Sequence, residues 1–143
     1  MREAVGSTFL FKLMIFFIFF FASFLAIAIN YSQAFSIKNQ IINILEKSEG
    51  LNDTSKPSIV DLTINSGYHR EVDCRNTNDG ESVSDGSRSA KGVCIQKLPS
   101  DASDSNRYYQ VTTYVSFNFP IIGNLFTFPV RGETKIITNL DED

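Results

Sequence analysis

The sequence predicts an α+β fold: an N-terminal transmembrane helix that continues into an amphipathic helix packed on a small antiparallel β-sheet. Three observations predict it. Residues 13–37 carry no charge, helical periodicity persists past them as far as Gly50, and from residue 58 apolar side chains recur at every second position instead.

Residues 13–31 read LMIFFIFFFASFLAIAINY. A run this long and this dense in Phe and Ile is able to cross a hydrocarbon core of about 30 Å. Leu13, Phe16, Phe17, Phe20, Phe24 and Ile27 are the expected anchor side chains. Lys12 stands at the start of the run, where its long stem reaches the headgroups, so residues 1–12 are expected to form a cytoplasmic tail. A helix apolar on every face needs a large surrounding core if it is to stay in water, and a chain of 143 residues does not supply one. Arg2 and Lys12 before the run, with Ala26-Ile27-Ala28 near its end, also fit a cleaved signal peptide. The helical pattern continues past Ala28 without a breaker, which favours an uncleaved anchor.

Over residues 32–50 the pattern turns amphipathic. Ala34, Ile37, Ile41, Ile44, Leu45 and Ser48 share one stripe, with Ser36, Asn39, Gln40, Asn43 and Lys47 opposite. Gly50 is placed to supply the left-handed residue that ends the helix, with Leu51 making the accompanying apolar contact. Phe35 and Ile42 lie on a second, narrower stripe and are candidates for contact with a partner subunit.

The remainder, residues 51–143, reads as a β-rich domain. In residues 58–65 Val60, Leu62 and Ile64 alternate with Asp61 and Thr63, predicting a strand. Residues 68–74 alternate in the same way after a turn at Ser66-Gly67. Residues 75–91 are polar and rich in Asn, Asp, Ser and Gly, predicting a long surface loop. A short strand follows over 92–98. The strongest β signal is RYYQVTTYVSFNF, where Tyr109, Val111, Thr113, Val115, Phe117 and Phe119 share a face. Residues 120–124 make a turn, and residues 125–137 return as the second arm of a hairpin. Pro129 and Gly132 place that arm at an edge or a bulge. Ile121 and Ile122, in the turn, are further candidates for contact with lipid or a partner.

The chemistry on offer is sparse. Past Asn30 the chain holds 11 Lys or Arg against 15 Asp or Glu, with no basic stripe, so nucleic acid is not an expected partner. The single His, His69, stands in a strand pattern with no nucleophile motif beside it. Asp79, Glu81 and Asp85 lack the ligand spacing of a calcium loop. No Gly-rich phosphate loop or zinc pattern is present. No cofactor, small-molecule substrate or enzymatic activity is expected. Asn30-Tyr31-Ser32 and Asn52-Asp53-Thr54 match the short glycosylation acceptor pattern. Cys74 and Cys94, the only cysteines, bracket the polar stretch, and a disulfide there would stabilise the domain by about 3 kcal/mol on the loop-entropy model. Basic residues on the two sides of the anchor nearly balance. The disulfide therefore decides the expected orientation: a single-pass protein of the cell membrane, N-terminus cytoplasmic and C-terminal domain in the oxidising exterior.

Taken in order, these parts resemble pilin-like and pseudopilin-like proteins, above all the TadE-type small membrane proteins of bacterial Tad (Flp) pilus systems. The resemblance is carried by INYSQAFSIKNQIINILEKSEG after the anchor and by YYQVTTYVSFNFPIIGNLFTFPVRGETKII near the end. It implies a non-enzymatic pilus assembly component or minor pilin-like subunit whose partners are the lipid bilayer and other membrane or pilus-system subunits. Pilins of this type carry a Glu at the fifth position after the processed Gly. Here Gly6 is followed by Ser7-Thr8-Phe9-Leu10-Phe11, which points to a component retained in the membrane rather than a fibre subunit. The alternative is a membrane-tethered binding module that uses residues 75–91.

Overall fold

The computed structural model describes residues 2–100, 106–119 and 123–138, with the backbone alone at 117–119, 123–125 and 138. Helix α1 (Arg2–Lys47) is followed by α2 (Ser55–Asn65), a helical turn α3 (Cys74–Thr77), and strands β1 (Glu81–Ser84), β2 (Ser89–Pro99), β3 (Asn106–Phe119), β4 (Gly123–Glu133) and β5 (Ile137–Thr138). The strands form one antiparallel sheet in the order β1-β2-β3-β4. β5 pairs with the start of β3 on the side that β4 occupies, one residue out of β4's register. The fold is α+β, as expected.

Helix α1 has 46 residues and is about 69 Å long at 1.5 Å per residue. It includes the stretch expected to be a separate tail, because nothing in residues 2–12 breaks a helix. Its most apolar 18-residue stretch is wholly unburied, and the helix is long and apolar enough to cross a membrane. Its second half is different. Ala34, Ile37, Ile41 and Leu45 are buried along one stripe and form a core with Val93, Ile95, Val111 and Val115 of the sheet. Gly132 lets the helix approach β4 closely, since a Cβ there would stand 2.9 Å from Ile42 Cδ1 and from Lys38 Cδ. The helix ends in a Schellman motif one residue earlier than expected. Glu49 takes the αL conformation (φ 56°) ahead of Gly50, which also has a positive φ (128°), and the Gly50 N–H donates to Leu45 O at 2.9 Å.

Residues 58–65 are not a strand. They lie in α2, which buries Ser55, Ile59, Val60 and Thr63 and leaves Ile64 half exposed. Asn52 decides this locally: its Oδ1 accepts from the N–H groups of Ser55 (2.9 Å) and Thr54 (3.1 Å), satisfying donors that a helix start leaves free. Thr63 then gives its hydroxyl to the carbonyls of Val60 and Ile59 and so enters the core without an orphaned polar group.

Residues 68–73 also fall outside the sheet. The polar stretch 75–91 is not one long loop, for it holds most of α3, all of β1 and the start of β2. Its Asp and Gly residues make the tight turn between β1 and β2, where Asp85 Oδ1 accepts from the backbone of Ser87 and Arg88. The antiparallel pairing of β3 with β4 is as expected, but the second arm begins at Gly123, inside the expected turn, and ends at Glu133 instead of 137; residues 134–136 leave the ladder before β5. β4, which holds Pro129, is an edge strand.

Ile41 is fully buried against the sheet. Ile41→Ala is expected to cost about 2–5 kcal/mol, whereas the exposed Asn39→Ala should stay within about 0.5 kcal/mol of the parent. Urea midpoints of the full chain in detergent micelles compare the two.

Candidate interaction surfaces

The alternation of β2, β3 and β4 gives the sheet two faces. The row Ile95–Val111–Gly132 faces α1, and the neighbouring row Cys94–Thr112–Arg131 faces the other way. This second face is covered by the segment from Tyr68 to Gly80. Cys74, at the start of α3, is disulfide-bonded to Cys94 of β2, and both pack with Tyr114 and Val72. The expected bridge therefore clamps a strap onto the sheet instead of closing the base of a free loop.

Two buried polar arrangements hold the strap. The β2–β3 ladder stops at Val93–Thr113, and the Tyr68 hydroxyl takes over where the next pair would be. It accepts the Tyr114 N–H at 2.7 Å and lies 3.0 and 2.9 Å from the carbonyl oxygens of Gly92 and Tyr114, to one of which it gives its proton. Burial raises its pKa, so it remains a neutral donor. Nearby, Asp79 is buried (4 % exposed). Its carboxylate accepts from the Tyr114 hydroxyl and from Arg131, with Nη2 at 2.7 Å and Nε at 3.1 Å. Burial alone would raise the Asp79 carboxyl. The hydrogen bonds from Tyr114, Arg131 and Thr77 outweigh it, and the net shift is downward. Burial, reinforced by the hydrogen bond to Asp79, pushes Tyr114 up to about 12. No sequence motif singles out these residues. Their partners lie 35 and 52 positions apart.

Of the expected anchor residues, Phe16, Phe20 and Phe24 are 60–65 % exposed, Leu13 and Phe17 are about half exposed, and Ile27 is partly covered. Phe35 is 44 % exposed. It stacks on Tyr31 with ring centroids 6.3 Å apart, and Lys38 Nζ sits 4.2 Å over its ring. Ile42 packs on the protein's own core, because α1 lies close enough to Gly132 to take it in. The outward side of the helix is thus represented by Phe35 rather than by the pair. Ile121 and Ile122 lie outside the described residues. Beside Phe35, an open groove on α1 is lined by Ala28, Ser32, Ser36 and Gln40 and rimmed by Ser66 of the α2 end. Its 28-32-36 spacing of small residues was present in the sequence and suits close approach of another helix. His69 is exposed. Among the described residues no group of three or more His, Cys, Asp or Glu side chains is placed to hold a metal ion.

Because the Asp79 pKa is lower in the folded state, its contribution is complete above the unfolded carboxylate pKa, near about 3.9, and is lost as pH falls through the folded value. Asp79→Asn is expected to cost about 1–3 kcal/mol at pH 7. Its deficit should narrow as the pH falls below 4. Urea unfolding of both proteins across that range reads the convergence.

No family model matches the sequence, and no curated protein or solved structure is significantly similar to it.

Proposed function

We propose that the chain is a non-enzymatic, membrane-anchored subunit that works through contacts of its long helix and its sheet, as a pilus assembly component or minor pilin-like subunit. The N-terminal half of α1 spans the bilayer, the N-terminus is cytoplasmic and the disulfide-clamped domain stands outside. One observation carries the reading: a single 46-residue helix is bare over its apolar half and packed on an antiparallel sheet over its other half. The bare half needs a solvent of its own, and a bilayer fits its length and composition. The Cys74–Cys94 bond supports an oxidising location. The groove at Ala28, Ser32 and Ser36, next to Phe35, offers a partner helix a close-packing track that emerges from the membrane.

A tethered binding module built on residues 75–91 is the weaker reading. That segment is largely occupied in holding the fold, through Asp79 and the β1–β2 pairing, and it is pinned at its two ends by the Cys74–Cys94 bond.

Photo-crosslinking from position 32 or 35 of the full chain in its native membrane is expected to trap a second membrane polypeptide, and crosslinking from the solvent-facing Lys97 is not. Intact mass is expected to show an unprocessed or Met-trimmed chain, oxidised at its two cysteines, in the membrane fraction. A chain beginning at Ser7 in sheared surface filaments would make it a fibre subunit. One beginning at Ile29 would make it a secreted domain and remove the anchor.

A further inference from the structure

From the course of the β3–β4 hairpin we infer that the lipid surface is a second contact of the folded domain: the hairpin end carrying Phe126 and Phe128 dips into the same leaflet that holds α1. The inference rests on the anchored reading above.

Three contacts fix the hairpin's direction against the helix. The Lys135 N–H donates to Glu46 Oε1 at 3.0 Å, Gly132 lies against Ile42 and Lys38, and Thr113 Oγ1 donates to the Ala34 carbonyl at 3.0 Å. As the chain is followed backwards from 135 into β4, through 132 to Val130, the partner of Thr113, the helix contacts fall from 46 through 42 and 38 to 34. The hairpin therefore runs along α1 towards its apolar half. Four more residues, from Val130 to Phe126, advance about 13 Å at strand rise. That equals the rise of roughly nine helical residues and brings Phe126 level with Leu25.

Charge changes at the same height on both elements. On α1 the first charged residue after the apolar run is Lys38, and it packs against Gly132 beside Arg131. Beyond that height α1 has no charge back to Lys12, and the hairpin has none anywhere between Arg107 and Arg131. Arg70, which donates to Asn30 Oδ1 at 3.0 Å, lies at the level where headgroups would begin. Phe126 and Phe128 are 57 % and 52 % exposed, and their rings stack with centroids 6.0 Å apart. With Tyr31 and Phe35 they make an aromatic band at the height where such rings favour a membrane interface.

Backbone chemistry limits the depth. Past the Val93–Thr113 pair, where the β2–β3 ladder stops, β3 pairs among the described residues only with β4, so this end is a two-stranded ribbon with open edges. Unpaired N–H and C=O groups exclude it from the hydrocarbon centre. The interfacial zone, within about 10 Å of the boundary, is where apolar side chains are buried while the backbone stays hydrated.

The chain contains no Trp, so single replacements report without background. Phe126→Trp, Phe20→Trp in the anchor and Lys97→Trp at the far end of β2 are compared in the full chain reconstituted in phosphatidylcholine vesicles. The vesicles carry nitroxide-labelled lipids, labelled either near the headgroup or near the chain terminus, and iodide serves as the aqueous quencher. The inference expects the Phe126→Trp emission to be blue-shifted and largely lost to the shallow label, Phe20→Trp to be quenched by lipid label, and Lys97→Trp to respond only to iodide. If Phe20→Trp is quenched by lipid while Phe126→Trp behaves like Lys97→Trp, the dip is overturned and the anchor stands. If Phe126→Trp is shielded from both lipid label and iodide, protein covers that end and the dip is likewise overturned. If neither Phe20→Trp nor Phe126→Trp meets lipid, the anchored reading falls and takes the inference with it.

Discussion

The stripe Ala34–Ile37–Ile41–Leu45 is asked to do two things: to continue a helix whose earlier turns are apolar all round, and to be the apolar floor on which the sheet is built. Its packing against Val93, Val111 and Val115 supplies the core, and the remaining elements take their positions from it. Helix α2 fills the space between α1 and the β1–β2 end of the sheet, and Gly132 allows β4 to close on the other side. One helix can cover only one face of a sheet, so the opposite face needs a separate cover. The strap from Tyr68 to Gly80 provides it. Having little apolar surface of its own, the strap is held by the disulfide, the Tyr68 hydroxyl and the Asp79 carboxylate.

Much of this was legible from pattern. The wholly apolar stretch and its amphipathic continuation differ so plainly in polarity that α1 could be read almost to its last residue. The hairpin strands β3 and β4 alternate cleanly, and Pro129 announced an edge. Helix α2 was misread because Val60, Leu62 and Ile64 satisfy a period of two. Ile59 breaks that alternation, and Asn52, Ser55 and Pro57 form a helix start; these were the better signals. The polar stretch 75–91 was taken for a free loop because its Asp, Ser and Asn residues looked solvated. Several of them in fact hold backbone N–H groups or one another. Such use depends on what the fold brings near, as with Asp79, and the local sequence cannot display it.

The two faces of the sheet differ in kind. The α1 face is held chiefly by apolar contact, which does not titrate. On the other face, one buried carboxylate is neutralised by hydrogen bonds from a tyrosine and an arginine on neighbouring strands. An apolar residue at position 79 would leave the Tyr114 hydroxyl with Thr77 and turn the half-exposed Arg131 guanidinium over to water, so the carboxylate is what ties the strap to β3 and β4 at once.

Between Ser7 and Lys47 the chain has neither Pro nor Gly, and α1 runs through without interruption. A tethered domain usually hangs from a flexible linker and samples many orientations. Here the spine that would lie in lipid and the spine of the folded domain are one rod. In the proposed setting, a helix tilt of about 20° would lean the whole domain by the same angle, and rotation of the rod about its axis would turn the sheet with it. The domain would have little freedom to search for partners by swivelling: they would have to arrive at the angle the membrane sets, or change that angle by moving the helix.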